Sequence, residues 1–251
     1  MPDTPLMNAP TCVLLLLGLF LFLAGILRGF NGFGSSLLSV PALSFVIDPA
    51  QAVAIATLTE IPVVLLLLPS VIRHANAATT MPMVLAFVIF VPIGAFALTS
   101  IDPTPMKIAL CLFVLIMLGI LAKQDHIATF FNRKTLVAAG AFAGFSLGLT
   151  AIASPIFATA IIARGEDIQT TRANIIALAA ALIALSLISF GSLGLLTSQA
   201  IIAAVLVLIP LSLGVFCGQN LFKRASHFNL RPLFMGLVVV TTLSTLSQAL
   251  F

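Results

Sequence analysis

The chain has 251 residues, 61% of them hydrophobic and 7% charged, with a mean hydropathy of +1.26. A soluble domain carries roughly 25% charged residues, so this composition excludes one and describes an integral membrane protein, a single transmembrane domain over residues 1–251. The formal charge of +4 does not point to nucleic acid, because the basic residues stand mainly in short loops between apolar runs, where they set topology.

The polar residues before Thr11 lack the positive start of a signal peptide, and the first apolar run is expected to stay in the protein. Runs then fall at 11–30, 35–47, 50–71, 80–100, 104–122, 135–149, 151–163, 169–195, 198–221 and 230–250. Most reach the roughly 20 residues that cross about 30 Å of hydrocarbon. Runs 35–47 and 151–163 are shorter, and each follows a glycine-rich stretch, so they read as return legs of re-entrant hairpins. Trp and Tyr are absent, which leaves Phe alone to serve at the interfaces.

The stretch from Gly25 to Pro41 sets Gly25, Gly29, Gly32 and Gly34, with Arg28, Asn31, Ser35 and Ser36, between runs that otherwise read as membrane helix. Irregular backbone at that depth is tolerated only where protein buries it or it lines a watery cavity. Arg28 has a planar fork suited to an oxyanion. Its acceptor is a substrate anion or Glu60, unless the side chain snorkels to an interface. Gly29, Gly32 and Gly34 let the main chain approach a ligand without a Cβ in the way, and Asn31 adds an amide donor. Ser35 and Ser36 open the next helical leg, whose N–H groups favour an anion. Phe30 and Phe33, with Phe142 and Phe145, flank the breaks and form either an apolar collar for an organic body or ordinary packing.

Glu60 lies in mid-run, two residues before Pro62. It reads as a proton carrier for coupled transport, as the acid that neutralises Arg28, or as a water-facing carboxyl at a kink made by Pro62. The second glycine-rich stretch offers Gly144, Ser146, Gly148 and Thr150, with Ser154 a weaker addition, as anion donors equivalent to the first. The other reading is close helix packing, with hydroxyls bonded back to carbonyls one turn away. Leu147, Leu149 and Ala151 make this stretch less glycine-rich. Arg172 opens run 169–195 against the field of its own helix, and Glu166 and Asp167 are expected to compensate it.

Paired markers indicate an internal duplication. Gly25 and Gly29 match Gly140 and Gly144, Phe30 matches Phe145, Gly34 matches Gly148, Pro41 matches Pro155, Asp48 matches Asp167, Ala54 matches Ala173, and Pro92 matches Pro210, all in one order. Repeat 1 covers 11–122 and repeat 2 covers 134–251. Arg73, Lys123, Arg133, Lys134, Arg164, Arg172, Lys223, Arg224 and Arg231 fall on one side, Lys107 alone on the other. The first side is therefore cytoplasmic, both termini lie outside, and the halves are inverted. The expected fold is an all-α, multi-pass protein of the cell (inner) membrane with two inverted repeats. Each has a Gly-rich broken or re-entrant helical hairpin plus about three full transmembrane helices, with a site at the midplane.

In each half the glycine-rich stretch runs to a proline and is followed by an Ala-rich helix: Gly25 to Pro41 with Ala52 to Thr59, and Gly140 to Pro155 with Thr171 to Leu178. This pattern resembles the sulfite exporter TauE/SafE family, also called the toluenesulfonate uptake permease family. The resemblance implies secondary transport, by import or export, of small sulfur-containing anions such as sulfite, thiosulfate, sulfoacetate or alkyl- and arylsulfonates.

An intramembrane enzyme would want paired aspartates at depth, a His-Glu-x-x-His zinc set, or a serine with a lysine or histidine base. Asp48, Asp102, Asp125 and Asp167 sit in loops, and no histidine falls in an apolar run. Cys12, Cys111 and Cys217 have no metal-ligand spacing. No enzyme, metal or cofactor is expected. The alternatives are a gated anion channel sharing Arg28 and a proton- or sodium-coupled cation carrier using Glu60. GxxxG faces permit a homodimer.

Overall fold

In hydrocarbon every backbone N–H and C=O must find its partner within the protein, and the apolar runs meet that demand as helices. The computed structural model describes residues 10–31, 34–70, 74–122, 133–224 and 231–250. They form ten α-helices and, among the described residues, no strand: α1 Thr11–Asn31, α2 Ser35–Val46, α3 Pro49–Leu67, α4 Ala77–Ser100, α5 Pro103–Ala122, α6 Arg133–Thr150, α7 Ser154–Ile162, α8 Ile168–Ser192, α9 Ser198–Arg224 and α10 Arg231–Leu250. Among the described residues four stretches are long and apolar enough to cross a membrane: Thr11–Gly29, Ala77–Ser100, Ile168–Ser192 and Ser198–Leu221.

Polar residues in the short connections start the helices by satisfying N–H groups of the first turn. Asp48 accepts from Ala50 N–H at 2.8 Å, Asn76 from Ala78 N–H at 3.0 Å and Thr197 from Ala200 N–H at 3.1 Å. Asp167 accepts from the N–H groups of both Gln169 and Thr170 at 3.0 Å.

The chain divides into two compact units. The first, made of residues 1–59, 101–118 and 195–251, holds α1, α2, the start of α3, most of α5, and α9 and α10. Its core joins Leu17 and Leu21 of α1, Leu43 of α2, Ile55 of α3 and Ala203 and Val207 of α9. Gly25 and Gly29 bring α1 against α9: a Cβ on Gly25 would stand 2.9 Å from the Cα of Gly214, and one on Gly218 would stand 3.0 Å from the Cα of Ile26. Only small residues allow two backbones to approach so closely.

The second unit, residues 60–100 and 119–194, is built the same way from different helices. Its core joins Phe87 and Val91 of α4, Leu147 of α6, Phe157 and Ile161 of α7 and Leu178 of α8. Here α6 lies against α4. A Cβ on Gly140 would meet the Cα of Met83 at 2.8 Å, and one on Gly148 would meet Ala95 N at 2.7 Å. Gly34 and Gly148, matched in the sequence, take different backbone conformations in the structure. Gly34 precedes α2 with φ 96, whereas Gly148 lies inside α6, and the chain turns only at Ala151, a non-glycine residue with φ 57.

Candidate functional site

Arg28 lies in the last turn of α1, where the negative end of the helix dipole favours a cation. It is 9% exposed, so protein covers it and it does not snorkel. Its Nη1 donates to Ser35 Oγ at 3.1 Å, which ties the end of α1 to the first residue of α2. Ser35 is itself buried. The turn between them relies on Gly34: a side chain there would have ordinary room beside Leu27 and Leu37 at 3.7 Å, but its φ of 96 disfavours any residue with a Cβ. Gly34 supplies no side-chain cap to α2, so the start of this buried helix has the polarity that favours an anion. A guanidinium, a hydroxyl and a helix N-terminus thus share one corner of the first unit.

The other residues named from the sequence are distributed differently. Ser36 is half-buried beside Ser35. Gly32 and Phe33 lie outside the described residues, as do the side chains of Phe30 and Asn31. Gly29 faces the backbone of Val215 and Gln219 on α9. Its missing side chain serves helix contact. The same holds for Gly144, 3.3 Å in Cβ reach from the Cα of Phe87, and for Gly148 against α4. Ser146 Oγ donates to Ile152 O, and Thr150 Oγ1 donates to Ser146 O at 2.8 Å. Both are fully buried; the Ser146 bond reaches past Ala151 to the chain beyond α6, whereas the Thr150 bond and the Ala151 N–H bond to Leu147 O at 2.8 Å run back one turn within α6. Ser154 is half-buried at the start of α7. Phe142 is 42% exposed and Phe145 half-buried on the same helix. Glu60 is half-buried on α3 and belongs to the second unit.

The sequence led to a compensation of Arg172 by Glu166 and Asp167 that the structure corrects. Asp167 caps α8, and Glu166 sits between Arg164, Asn76, Thr79 and Asn174. Arg172 is exposed on α8. Sequence proximity suggested the pairing, but a carboxylate beside a helix start is held more strongly by the N–H groups of that turn.

An apolar cleft of about 220 Å³ lies between α1, α2 and α10, lined by Leu16, Phe20, Phe45, Val46, Thr241 and Ser244 among others. The hydroxyls of Thr241 and Ser244 donate to carbonyls of their own helix at 3.0 and 2.9 Å, so the cleft presents hydrocarbon and no charge. It is not suited to an anion. Among the described residues no three His, Cys, Asp or Glu side chains gather as a metal site.

Residues 17–245 match a family model described as sulfite exporter TauE/SafE. No curated protein and no solved structure matches the chain.

Proposed function

The chain belongs to the sulfite exporter TauE/SafE family, whose members are membrane transporters of sulfur anions, and from that membership we propose that it is a secondary transporter that holds its substrate anion at Arg28. The observation that carries this reading is the buried guanidinium of Arg28, bonded to Ser35 across the α1–α2 turn. Its planar fork can present two parallel N–H groups to an oxyanion of sulfur. The Ser35 hydroxyl then turns from accepting to donating, because a hydroxyl can do either. A sulfite, thiosulfate or sulfonate head group fits these donors.

Alternating access is supported by the way the two units are built. In the proposed duplication α1 corresponds to α6 and α4 to α9. Helix α1 lies against α9, and α6 lies against α4, each through glycines. Such exchange of one helix between two halves is what an inverted duplication gives, and it is the architecture in which one half rocks around a fixed site.

The test is titration of the purified full chain with sulfite, thiosulfate, sulfoacetate and an arylsulfonate, beside a folded Arg28→Ala variant. One ligand should bind saturably to wild type, and its affinity should fall at least about tenfold in the variant, the loss of one charge-assisted contact. Equal binding by wild type and variant would remove Arg28 from the site and leave the Glu60 cation reading to be tested.

A further inference from the structure

A second set of polar side chains gathers around one carboxylate in the second unit. Glu166 comes from the α7–α8 loop. Its Oε1 accepts from Thr79 Oγ1 at 2.6 Å and from Asn76 Nδ2 at 3.1 Å, and its Oε2 accepts from Asn174 Nδ2 at 2.6 Å. Arg164 Nη2 stands 3.8 Å from Oε1. The donors are set by the helices. Thr79 and Asn174 are 0% exposed on α4 and α8, and Asn76 is fixed by its own N–H bond to Asn174 Oδ1 at 2.7 Å.

The acceptor atoms of this cradle are turned outward. Asn174 Oδ1 is taken by Asn76 N–H, and Asn76 Oδ1 by Ala78 N–H. What converges on the centre is two amide donors, one hydroxyl and one guanidinium. A cation requires oxygen ligands and would meet donors here, whereas a group with two negative oxygens finds each of them bonded. The first turns of α4 and α8 flank the cradle with the positive ends of their dipoles. The occupant itself comes from a surface loop: the Glu166 side chain is 16% exposed and that of Arg164 32%. Gly165, just before it, has φ 67, and a Cβ added there would meet nothing within 4 Å.

We propose that this cradle is a second oxyanion site, distinct from Arg28, held by the carboxylate of Glu166 as a tethered stand-in that a small oxyanion such as sulfite displaces. The loop carries Glu166 out, and Asn76, Thr79, Asn174 and Arg164 receive the free anion.

The probe is sodium sulfite, titrated calorimetrically into the full chain in detergent. An Arg28→Ala background silences the first site, so failure here is separable from failure of the Arg28 reading. Arg28→Ala with Glu166→Ala should bind one sulfite saturably where Arg28→Ala alone binds at least tenfold more weakly, and adding Thr79→Val should weaken the gained site about tenfold. A Glu166→Gln variant in the same Arg28→Ala background, which keeps shape but loses charge, guards against misfolding of the truncated form: sulfite should raise its melting temperature at a concentration that leaves Arg28→Ala alone unmoved. The proposal is overturned if the folded Glu166→Ala form gains no site, if Thr79→Val leaves that site unchanged, or if, in the Arg28→Ala background, sulfite affects the Glu166→Gln form no more than Arg28→Ala alone.

Discussion

Asp167 accepts hydrogen bonds from Thr170 and Gln169, and these bonds hold its carboxyl below the usual carboxylate range. The sign follows from linkage: a group whose pKa is lower in the folded state adds stability above its unfolded value of about 3.9, and that stability is lost as pH falls through the folded value. Asp167→Ala should therefore melt below wild type at pH 7, with the difference shrinking as pH drops under about 4, while Asp167→Asn, which keeps an acceptor, should lie between. A difference that persists undiminished at pH 3 would assign the effect to something other than the ionised cap. Single residues also show where sequence reading reaches its limit. Arg28 and Ser35 are seven positions apart, close enough for their meeting to be anticipated once the chain was expected to turn between them. Thr79 and Asn76 meet Glu166 across 87 and 90 positions, and nothing local announces that contact. Asn174, an amide at the point where the polar start of α8 gives way to its apolar run and fully buried in the structure, was the available signal, because a buried polar side chain requires a partner.

At the scale of the element, helix extents were legible because hydrocarbon leaves the backbone no other choice, and the ends of the apolar runs fall close to the ends of α1 to α10. The turn at Gly34 was legible from glycine content. The turn at Ala151 was not, because it falls on a non-glycine residue with φ 57 and is spanned by the bond from Ser146 to Ile152 O. Glycine content alone also failed to separate ligand approach from helix contact, since both need a missing Cβ. The contacts separate them by prediction. Gly214→Ala would place a methyl 2.9 Å from the Cα of Gly25, and forcing α1 from α9 should cost about 1–3 kcal/mol. Gly148→Ala should do the same between α6 and α4. Gly119 has nothing within 4 Å of a new Cβ, and Gly119→Ala should be neutral or gain up to about 1 kcal/mol from helix propensity. Reversible unfolding in mixed detergent micelles measures all three. Equal responses would show that the close approach of these backbones does not limit stability.

For the whole molecule, the hydrogen bond between Asn76 and Glu166 carries topological information that charge counting lacked. It joins the α3–α4 and α7–α8 connections within the second unit, and we expect both on one face of the membrane with an even number of crossings between them. Charge counting had placed Arg73 and Arg164, which belong to these two connections, together on the cytoplasmic side; the bond supports their being together, and the excess of basic residues supplies which side. From there Asp102, after one further crossing by α4, should face outward, as should both termini. In a background with Cys12, Cys111 and Cys217 replaced, Asp102→Cys should react with a membrane-impermeant maleimide in intact cells. Ala75→Cys and Ile168→Cys, both at exposed positions, should react only after the membrane is opened. Because one hydrogen-bonded cluster adjoins the last two positions, they serve as a control on each other: they must be protected or labelled together. If they are labelled from outside while Asp102→Cys is protected, the fold stands and the orientation reverses, which would put the Glu166 cradle at the outer mouth and make its proposed oxyanion an arriving one from that side.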